Sequence, residues 1–315
     1  MRSLFVMDPI AGIDPRTDST WMLMLASQRR GWPVWWCTPR DLVAEGDAVF
    51  AMARGLRLVA TPPSWEQGPP ERLPLAACDL VWMRKDPPFD LDYLAASWLL
   101  DLAARATTVL NAPRALLHAN EKLFALRWPD LCPPTVVASD PARLVAAARG
   151  WGEAVLKPLD GCGGRGVVRT HAADPNLPAL AELLTSEGRR AALAQRYLPG
   201  VLAGDKRILL VDGEPLGWLN RVPGPLDHRA NLHVGGRAEP CALTGADRAI
   251  CAALGPTLRA EGMVFVGLDV IDGHLTEVNV TSPTGIQEAN RFLGVTIEER
   301  ILDAALRRAR PGGPT

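Results

Sequence analysis

Apolar residues follow two rhythms along this chain. The runs SLFVMDP (3–9), WPVWWCT (32–38) and DLVWMRKDPPF (79–89) are short and nearly continuous, which predicts buried strands. Between them DSTWMLMLASQRRG (18–31) and LDYLAASWLLDLAARA (91–106) repeat apolar residues at helical spacing, the first capped by Asp18 or Ser19 and ended by Gly31. TTVLNAP (107–113) adds a short strand. Strand–helix alternation implies an open parallel sheet that binds ligands at the carboxyl ends of its strands, so residues 1–118 are expected to form an α/β domain. The Pro-rich stretch TPPSWEQGPPERLP (61–74) reads as a loop.

Beyond residue 118 the pattern changes. ANEKLFALRWPD (119–130) predicts a helix stopped by Pro129, TVVAS (135–139) a strand, and DPARLVAAARGW (140–151) a helix with Pro141 in its first turn. EAVLKPLDG (153–161) and GVVRTH (166–171) read as strands flanking a glycine loop; NLPALAELLTSEGRR (176–190) reads as a helix and AALAQRYLP (191–199) as a strand. Two hairpins follow: residues 206–222, turning at Asp212-Gly213, and 265–280, turning at Asp272-Gly273. PGPLDHRANLHVGGR (223–237) has little periodicity and reads as a long mobile loop. LTGADRAICAALGPTLRAEG (243–262) and TIEERILDAALRRAR (296–310) predict helices.

The totals exclude several classes. A net charge of −1 gives no footprint for nucleic acid or an anionic membrane, and 48% hydrophobic residues is a globular composition. No apolar run reaches the ~20 residues of a membrane helix, and MRSLFVMDPIAG is too short in its apolar part for a signal segment. Six scattered cysteines without CxxC or zinc spacing point to a reduced, cytoplasmic compartment. One count is more telling: of 34 basic residues only Lys85, Lys122, Lys157 and Lys206 are lysine. Where arginine serves almost everywhere, these four are candidates for work that needs a compact ammonium, such as meeting a phosphate as a point charge.

The glycine loop bears on whose phosphate that is. Gly161, Gly163 and Gly166 have GxGxxG spacing, and bare backbone N–H groups can cradle phosphate oxygens. A dinucleotide fold needs that motif to open a helix, whereas a β-like segment follows here. A Walker loop needs a terminal GK[ST], and a protein kinase needs its lysine downstream with HRD and DFG; neither pattern is present. In the second hairpin Glu277 and Asn279 share a strand face. A three-residue turn at 272–274 would set Asp269 opposite Glu277, and a two-residue turn would not. Such oxygen ligands suit Mg²⁺ completed by phosphate oxygens.

MDPI, MRKDPPFD, NEKLFAL, LKPLDGCGG, QRYLP, GDKRILLVDGEP, NLHVGGR, FVGLDVI and LTEVNVTSPTGI together span nearly the whole chain, which on these motifs resembles the bacterial glutathione synthetases of the ATP-grasp superfamily. The resemblance implies an α/β fold with an N-terminal open-sheet domain (1–118) and two α+β ATP-grasp subdomains (119–198 and 199–315). It implies ATP and two Mg²⁺ ions, with Mn²⁺ as a substitute. Lys122 and Lys157 would contact the phosphates, closed over by the loop with Asp160, Gly161, Gly163 and Gly164. Gln195, Tyr197 and Leu198 would line the adenine pocket. Asp269, Glu277 and Asn279 would hold the metals, while Arg207 and Arg221 would stabilise the transferring phosphoryl and the acyl group. Arg84, with Ser282, Pro283 and Thr284, would position the acyl substrate, and 222–237 would be a lid carrying Asn231, Gly235, Gly236 and Arg237.

The implied reaction joins γ-glutamylcysteine to glycine through an acyl phosphate, releasing ADP and phosphate, in a homotetramer or dimer. Phosphoryl transfer of this kind needs positioned charge and no protein nucleophile, so Cys162 is incidental, and His228 and His233 are read as surface histidines. The chain has Ala230, Gly285 and Gln287 where the family often carries Gly, Cys and Arg. The other readings are an ATP-grasp ligase for a different acid and amine, and a nucleotide-binding protein without turnover. The retained lysines and metal ligands count against the latter.

Overall fold

The computed structural model describes residues 1–161, 163–224, 229–230 and 235–309. Its first sheet holds β1 (Ser3–Met7), β2 (Val34–Cys37), β3 (Leu42–Glu45), β4 (Ala48–Ala60), β5 (Pro63–Pro74), β6 (Leu80–Arg84) and β7 (Thr108–Leu110). The strand order is β3-β4-β2-β1-β6-β7, with β5 on β4. The expected parallel sheet is one side of it, β2-β1-β6-β7, ending at the β7 edge. Every residue of β1 and β6 is buried, the mark of strands covered on both faces. Helices α1 (Ser19–Arg29) and α2 (Leu91–Ala103) connect the parallel strands, and α3 (Pro113–His118) leads out. Asp18 caps α1 by accepting from Trp21 N at 2.7 Å, and Asp90 caps α2 through Tyr93 N at 3.0 Å.

Two expectations fail here. The Pro-rich stretch is strand β5, antiparallel to β4 from Phe50↔Pro74 to Ala60↔Pro63. As an edge strand it leaves one side unpaired, which tolerates residues without an N–H. The helix expected over 119–130 is replaced by two short 3₁₀ turns, Phe124–Arg127 and Pro129–Leu131. The carbonyl of Glu121, which a helix would use internally, accepts instead from Val278 N at 2.9 Å.

The second sheet contains β8 (Thr135–Ala138), β9 (Glu153–Pro158), β10 (Val168–His171) and β11 (Ala192–Arg196), ordered β10-β9-β11-β8 and entirely antiparallel. It is backed by α4 (Pro141–Trp151) and α5 (Leu177–Thr185). The third sheet runs β14-β13-β12-β15-β16: β12 (Asp205–Val211), β13 (Glu214–Val222), β14 (Arg237–Glu239), β15 (Phe265–Ile271) and β16 (His274–Asn279). Helices α6 (Gly245–Ala260), α7 (Ile286–Leu293) and α8 (Ile297–Arg308) complete the chain.

Burial divides the molecule differently from strand pairing. The first and third sheets share two continuous cores, one joining Val81 and Met83 to Leu268 and Val278, the other joining Phe5 and Trp82 to Leu209 and Ile301. The second sheet has a small core of its own, drawn wholly from residues 144–194. A unit that buries its apolar surface internally can shift as a body over its neighbours at low cost. The glycine loop sits on that unit. Among the described residues no helix is long and apolar enough to cross a membrane.

Candidate functional site

β9 and β10 pair with Glu153 opposite His171 and Leu156 opposite Val168, so the glycine loop closes a hairpin and opens no helix. Gly163, Gly164 and Gly166 have φ of +61°, +80° and +72°, conformations that a side chain would strain. Gly161 is constrained by space: a Cβ there would lie 2.9 Å from both the Arg165 carbonyl oxygen and Pro158 Cγ. The backbone is thereby free to approach a ligand.

Two of the four lysines converge under this loop. Lys122 Nζ donates to the Gly161 carbonyl at 2.6 Å, and Lys157 Nζ donates to Gln195 Oε1 at 3.1 Å. Both ammonium groups lie 3.9 Å from Glu277 Oε1. Burial pushes the Lys157 pKa down, against the pull of Glu277. The other two lysines serve elsewhere. Lys85 pairs with Asp8 at 3.0 Å, and Lys206 pairs with Asp247 in the capping box of α6.

The third sheet supplies the facing wall through cross-strand rows. Arg207 on β12 stands opposite Asp269 on β15, and Asp269 opposite Glu277 on β16. The turn at Asp272-Gly273 has two residues, with Ile271 paired to His274, which by itself would miss that register. A bulge supplies the missing step: Val270 pairs with Leu275 and Asp269 with Glu277, leaving Thr276 as the extra residue. Thr276 Oγ1 donates to the Asp269 carbonyl at 3.1 Å.

Asp269 is gripped by two guanidiniums. Arg207 Nε and Nη2 donate to its two oxygens at 2.7 and 3.2 Å, and Arg221 Nη2 lies 3.0 Å from Oδ2. Burial pushes the Asp269 pKa up, but the two cations outweigh it and hold the carboxyl below the usual range. Arg221 also bonds Asp205 Oδ2 at 2.5 Å. Burial pushes Asp205 up to about 7, opposed by Arg221 and Arg207 and helped by repulsion from Asp269 and Glu277.

The space between the two sheets is a cleft whose walls are side chains of β9, β11, β12, β15 and β16. Of the expected residues, Lys122, Lys157, Gly161, Gly163, Gly164, Gln195, Tyr197, Leu198, Asp269 and Glu277 line it. Arg207 and Arg221 lie beneath, reaching it through Asp269. Asn279, two residues beyond Glu277 in β16, does not line it; its Nδ2 lies 3.4 Å from the Gly267 carbonyl. Asp160 is exposed near Arg190, and Arg237 is an exposed partner of Glu239; neither lines the cleft, nor do Gly235 and Gly236. Asn231, Cys162, His228 and His233 lie outside the described residues. From the segment expected to be a lid, Arg229 Nη1 donates to the Gly164 carbonyl at 3.0 Å and Ala230 lines the cleft. Sequence reading missed Val155, Val201, Asp205, Ile271 and Thr276. The i, i+2 spacing of Val155 to Lys157 and of Asp205 to Arg207 was the available signal for two of them.

A second cluster lies at the junction with the first sheet. Arg84 is buried, donating to Thr20 Oγ1 at 3.0 Å and to the Pro283 carbonyl at 3.1 Å. The structure thus brings Arg84 together with the 282–284 segment. Gly285, with φ of +116°, starts α7, and Gln287 Nε2 donates to the carbonyls of Pro15 and Asp18.

The cleft fits a nucleotide and a hard cation. Asp205 Oδ1 and the Tyr197 hydroxyl are buried without a partner although both residues line the cleft, which leaves an acceptor and a donor for a ligand. Among the described residues no group of three or more His, Cys, Asp or Glu is placed to hold a metal. Of the three expected metal ligands, Asp269 and Glu277 line the cleft, both oxygen donors of the kind that suit an ion completed by phosphate and water.

The model of the prokaryotic glutathione synthetase N-terminal domain matches residues 1–116, and that of the prokaryotic glutathione synthetase ATP-grasp domain matches 121–294. The glutathione synthetase of Parasynechococcus marenigrum (strain WH8102) is 52% identical over 312 residues, covering 98% of this chain and 99% of that protein. That of Pseudomonas putida (strain KT2440) is 42% identical over 308 residues, covering 97% of each. In fold, the chain is similar to the D-cycloserine synthetase DcsG, with a TM-score of 0.66, 17% identity and coverage of 98% and 99%. It is also similar to the ATP-grasp ligase PsnB, in a structure with a phosphomimetic precursor variant, Mg and ADP, with a TM-score of 0.63, 16% identity and 98% coverage of each chain. The chain is an ATP-dependent carboxylate–amine ligase of the ATP-grasp fold, and it belongs to the prokaryotic glutathione synthetase family.

Proposed function

We propose that the chain ligates γ-glutamylcysteine to glycine at the expense of ATP, and that the cleft residues divide the work as follows. The adenine lies among Val155, Tyr197, Leu198, Val201 and Ile271, with Gln195 at its edge. Asp205 Oδ1 accepts from a nucleotide hydroxyl. Lys122 and Lys157 meet the phosphates under the backbone amides of the 160–166 loop. Asp269, Glu277 and Asn279 would hold two Mg²⁺ ions, replaceable by Mn²⁺, which would supply charge neutralisation for the phosphates. The observation that carries this reading is the convergence of Lys122, Lys157 and Glu277 across the cleft, above Asp269 and its two arginines.

A carboxylate resists amine attack because an oxide would have to leave. A carboxylate oxygen of the acyl donor therefore attacks the γ-phosphorus, the bond to the β-phosphate oxygen breaks, and ADP departs. The glycine amine then attacks the acyl carbon, phosphate leaves, and the amine loses its proton. Arg207 and Arg221 offset charge on the transferring phosphoryl and the acyl group. Arg84 with residues 282–284 fixes the acyl donor. The lid, through Arg229 on Gly164, excludes water from the acyl phosphate. The organisation that supports these roles is 1–118, 119–198 and 199–315, working as a homo-oligomer in the cytoplasm. The test is ADP release with ATP, Mg²⁺ and γ-glutamylcysteine, with and without glycine. Release that needs both, with the tripeptide found by mass, supports the proposal. Release only with other acids or amines would keep the ligase chemistry and refute the substrates.

A further inference from the structure

Residues 280–285 form no regular structure, so their backbone groups need partners from elsewhere. Those partners are side chains from four separate parts of the chain. Val280 N, Thr281 N and Thr281 Oγ1 all donate to one oxygen, Glu121 Oε1, at 3.0, 3.1 and 2.8 Å. From the opposite side Asn111 Nδ2 donates to the Val280 carbonyl at 2.9 Å and to the Phe265 carbonyl at 2.8 Å. Asn111 Oδ1 accepts from Val264 N at 2.7 Å and Phe265 N at 3.0 Å. Further on, Arg84 holds the Pro283 carbonyl and Arg207 Nη1 holds the Thr284 carbonyl at 3.2 Å.

Glu121 differs from the rest by its neighbour. It precedes Lys122, whose ammonium lies under the glycine loop, and its own carbonyl accepts from Val278 N, between Glu277 and Asn279. One residue thus ties three parts together: the phosphate lysine, the strand of metal ligands, and the segment beside Arg84. We propose that Glu121, with Asn111 bracing the same junction, is a positioning residue that holds the 280–284 segment, and with it the acyl donor, in line with the γ-phosphate. This rests on the reading of 282–284 as the acyl-binding segment. Glu121 touches neither nucleotide nor acyl group; it acts by fixing the distance between their two sites. Three donors on one oxygen make the arrangement depend on an acceptor at that point more than on its charge.

The test compares Glu121→Ala, Glu121→Gln and Thr281→Val with the unaltered protein by steady-state kinetics and by hydrogen exchange in the presence of ADP and Mg²⁺. Glu121→Ala is expected to lower kcat/KM for the acyl donor about 100-fold, the scale of a misplacement of about 1 Å, with KM for ATP changed less than about threefold. Glu121→Gln keeps the accepting oxygen and should recover most of the loss. Peptides covering 278–285 should exchange faster in Glu121→Ala and return to normal in Glu121→Gln. If Glu121→Ala does not fold, Thr281→Val, which removes one of the three bonds, must show a smaller loss of the same kind. Unchanged exchange across 278–285, or an equal loss of ATP and acyl-donor affinity, overturns the proposal. The exchange arm needs no substrate, so a failure of γ-glutamylcysteine and glycine to react would refute the substrate reading and leave Glu121 to be judged by protection alone.

Discussion

Replacing Lys157 by methionine should separate catalysis from stability. Among the described residues the ammonium has one hydrogen bond, to a neutral amide at 3.1 Å, and a carboxylate oxygen at 3.9 Å that Lys122 approaches at the same distance. Methionine keeps most of the unbranched stem and removes the charge. The lost hydrogen bond costs about 1 kcal/mol. Relief of a buried charge offsets much of that, and Glu277 keeps Lys122 as its counter-ion. Stability to denaturant should therefore change by less than about 1 kcal/mol. Catalysis should suffer far more. An oriented charge that meets the transferring phosphoryl in a water-poor cleft contributes about 3–4 kcal/mol, or about 10²–10³ in rate. The assay is ADP release alongside urea unfolding of the same preparations. Turnover within tenfold of the unaltered protein, at equal stability, would refute the phosphate contact. A loss of several kcal/mol of stability, with activity falling only in step, would make Lys157 a structural residue.

Asp269→Asn leaves Arg207 and Arg221 facing a neutral amide, and should destabilise the protein by about 3–5 kcal/mol as well as abolish turnover. Because the folded pKa of Asp269 lies below its unfolded value, its stabilising effect is present above the ordinary carboxylate pKa of about 4 and fades as pH falls further. The gap in unfolding free energy between the two proteins should accordingly shrink as pH falls below about 4; a constant gap from pH 4 down to about 2 would contradict the ion-pair account. Gly161→Ala puts a Cβ 2.9 Å from a carbonyl oxygen and should raise KM for ATP by about tenfold or more with little change in melting temperature; an unchanged KM would show that the loop does not approach the phosphates. Chelating the divalent cation should stop ADP release, and Mg²⁺ should restore it; turnover in excess chelator would exclude the metal role.

Local pattern alone determined a good deal of this molecule. The strand–helix alternation of the first hundred residues, the hairpins at Asp212-Gly213 and Asp272-Gly273, and a glycine loop between strands all follow from periodicity and turn chemistry, which neighbouring residues set among themselves. The scarcity of lysine likewise marked Lys122 and Lys157. Tertiary structure decided the rest. Prolines became a strand because β4 offered an edge that needs few donors. Residues 119–130 gave up a helix because the Glu121 carbonyl had a partner at Val278. The bulge at Thr276, invisible in the spacing, set Asp269 opposite Glu277. Asp205, Asn111 and Glu121 acquire their places from partners up to about 170 residues away along the chain. Such pairings are chosen by which buried polar groups remain unsatisfied once the sheets have packed, and no pattern of adjacent residues encodes that.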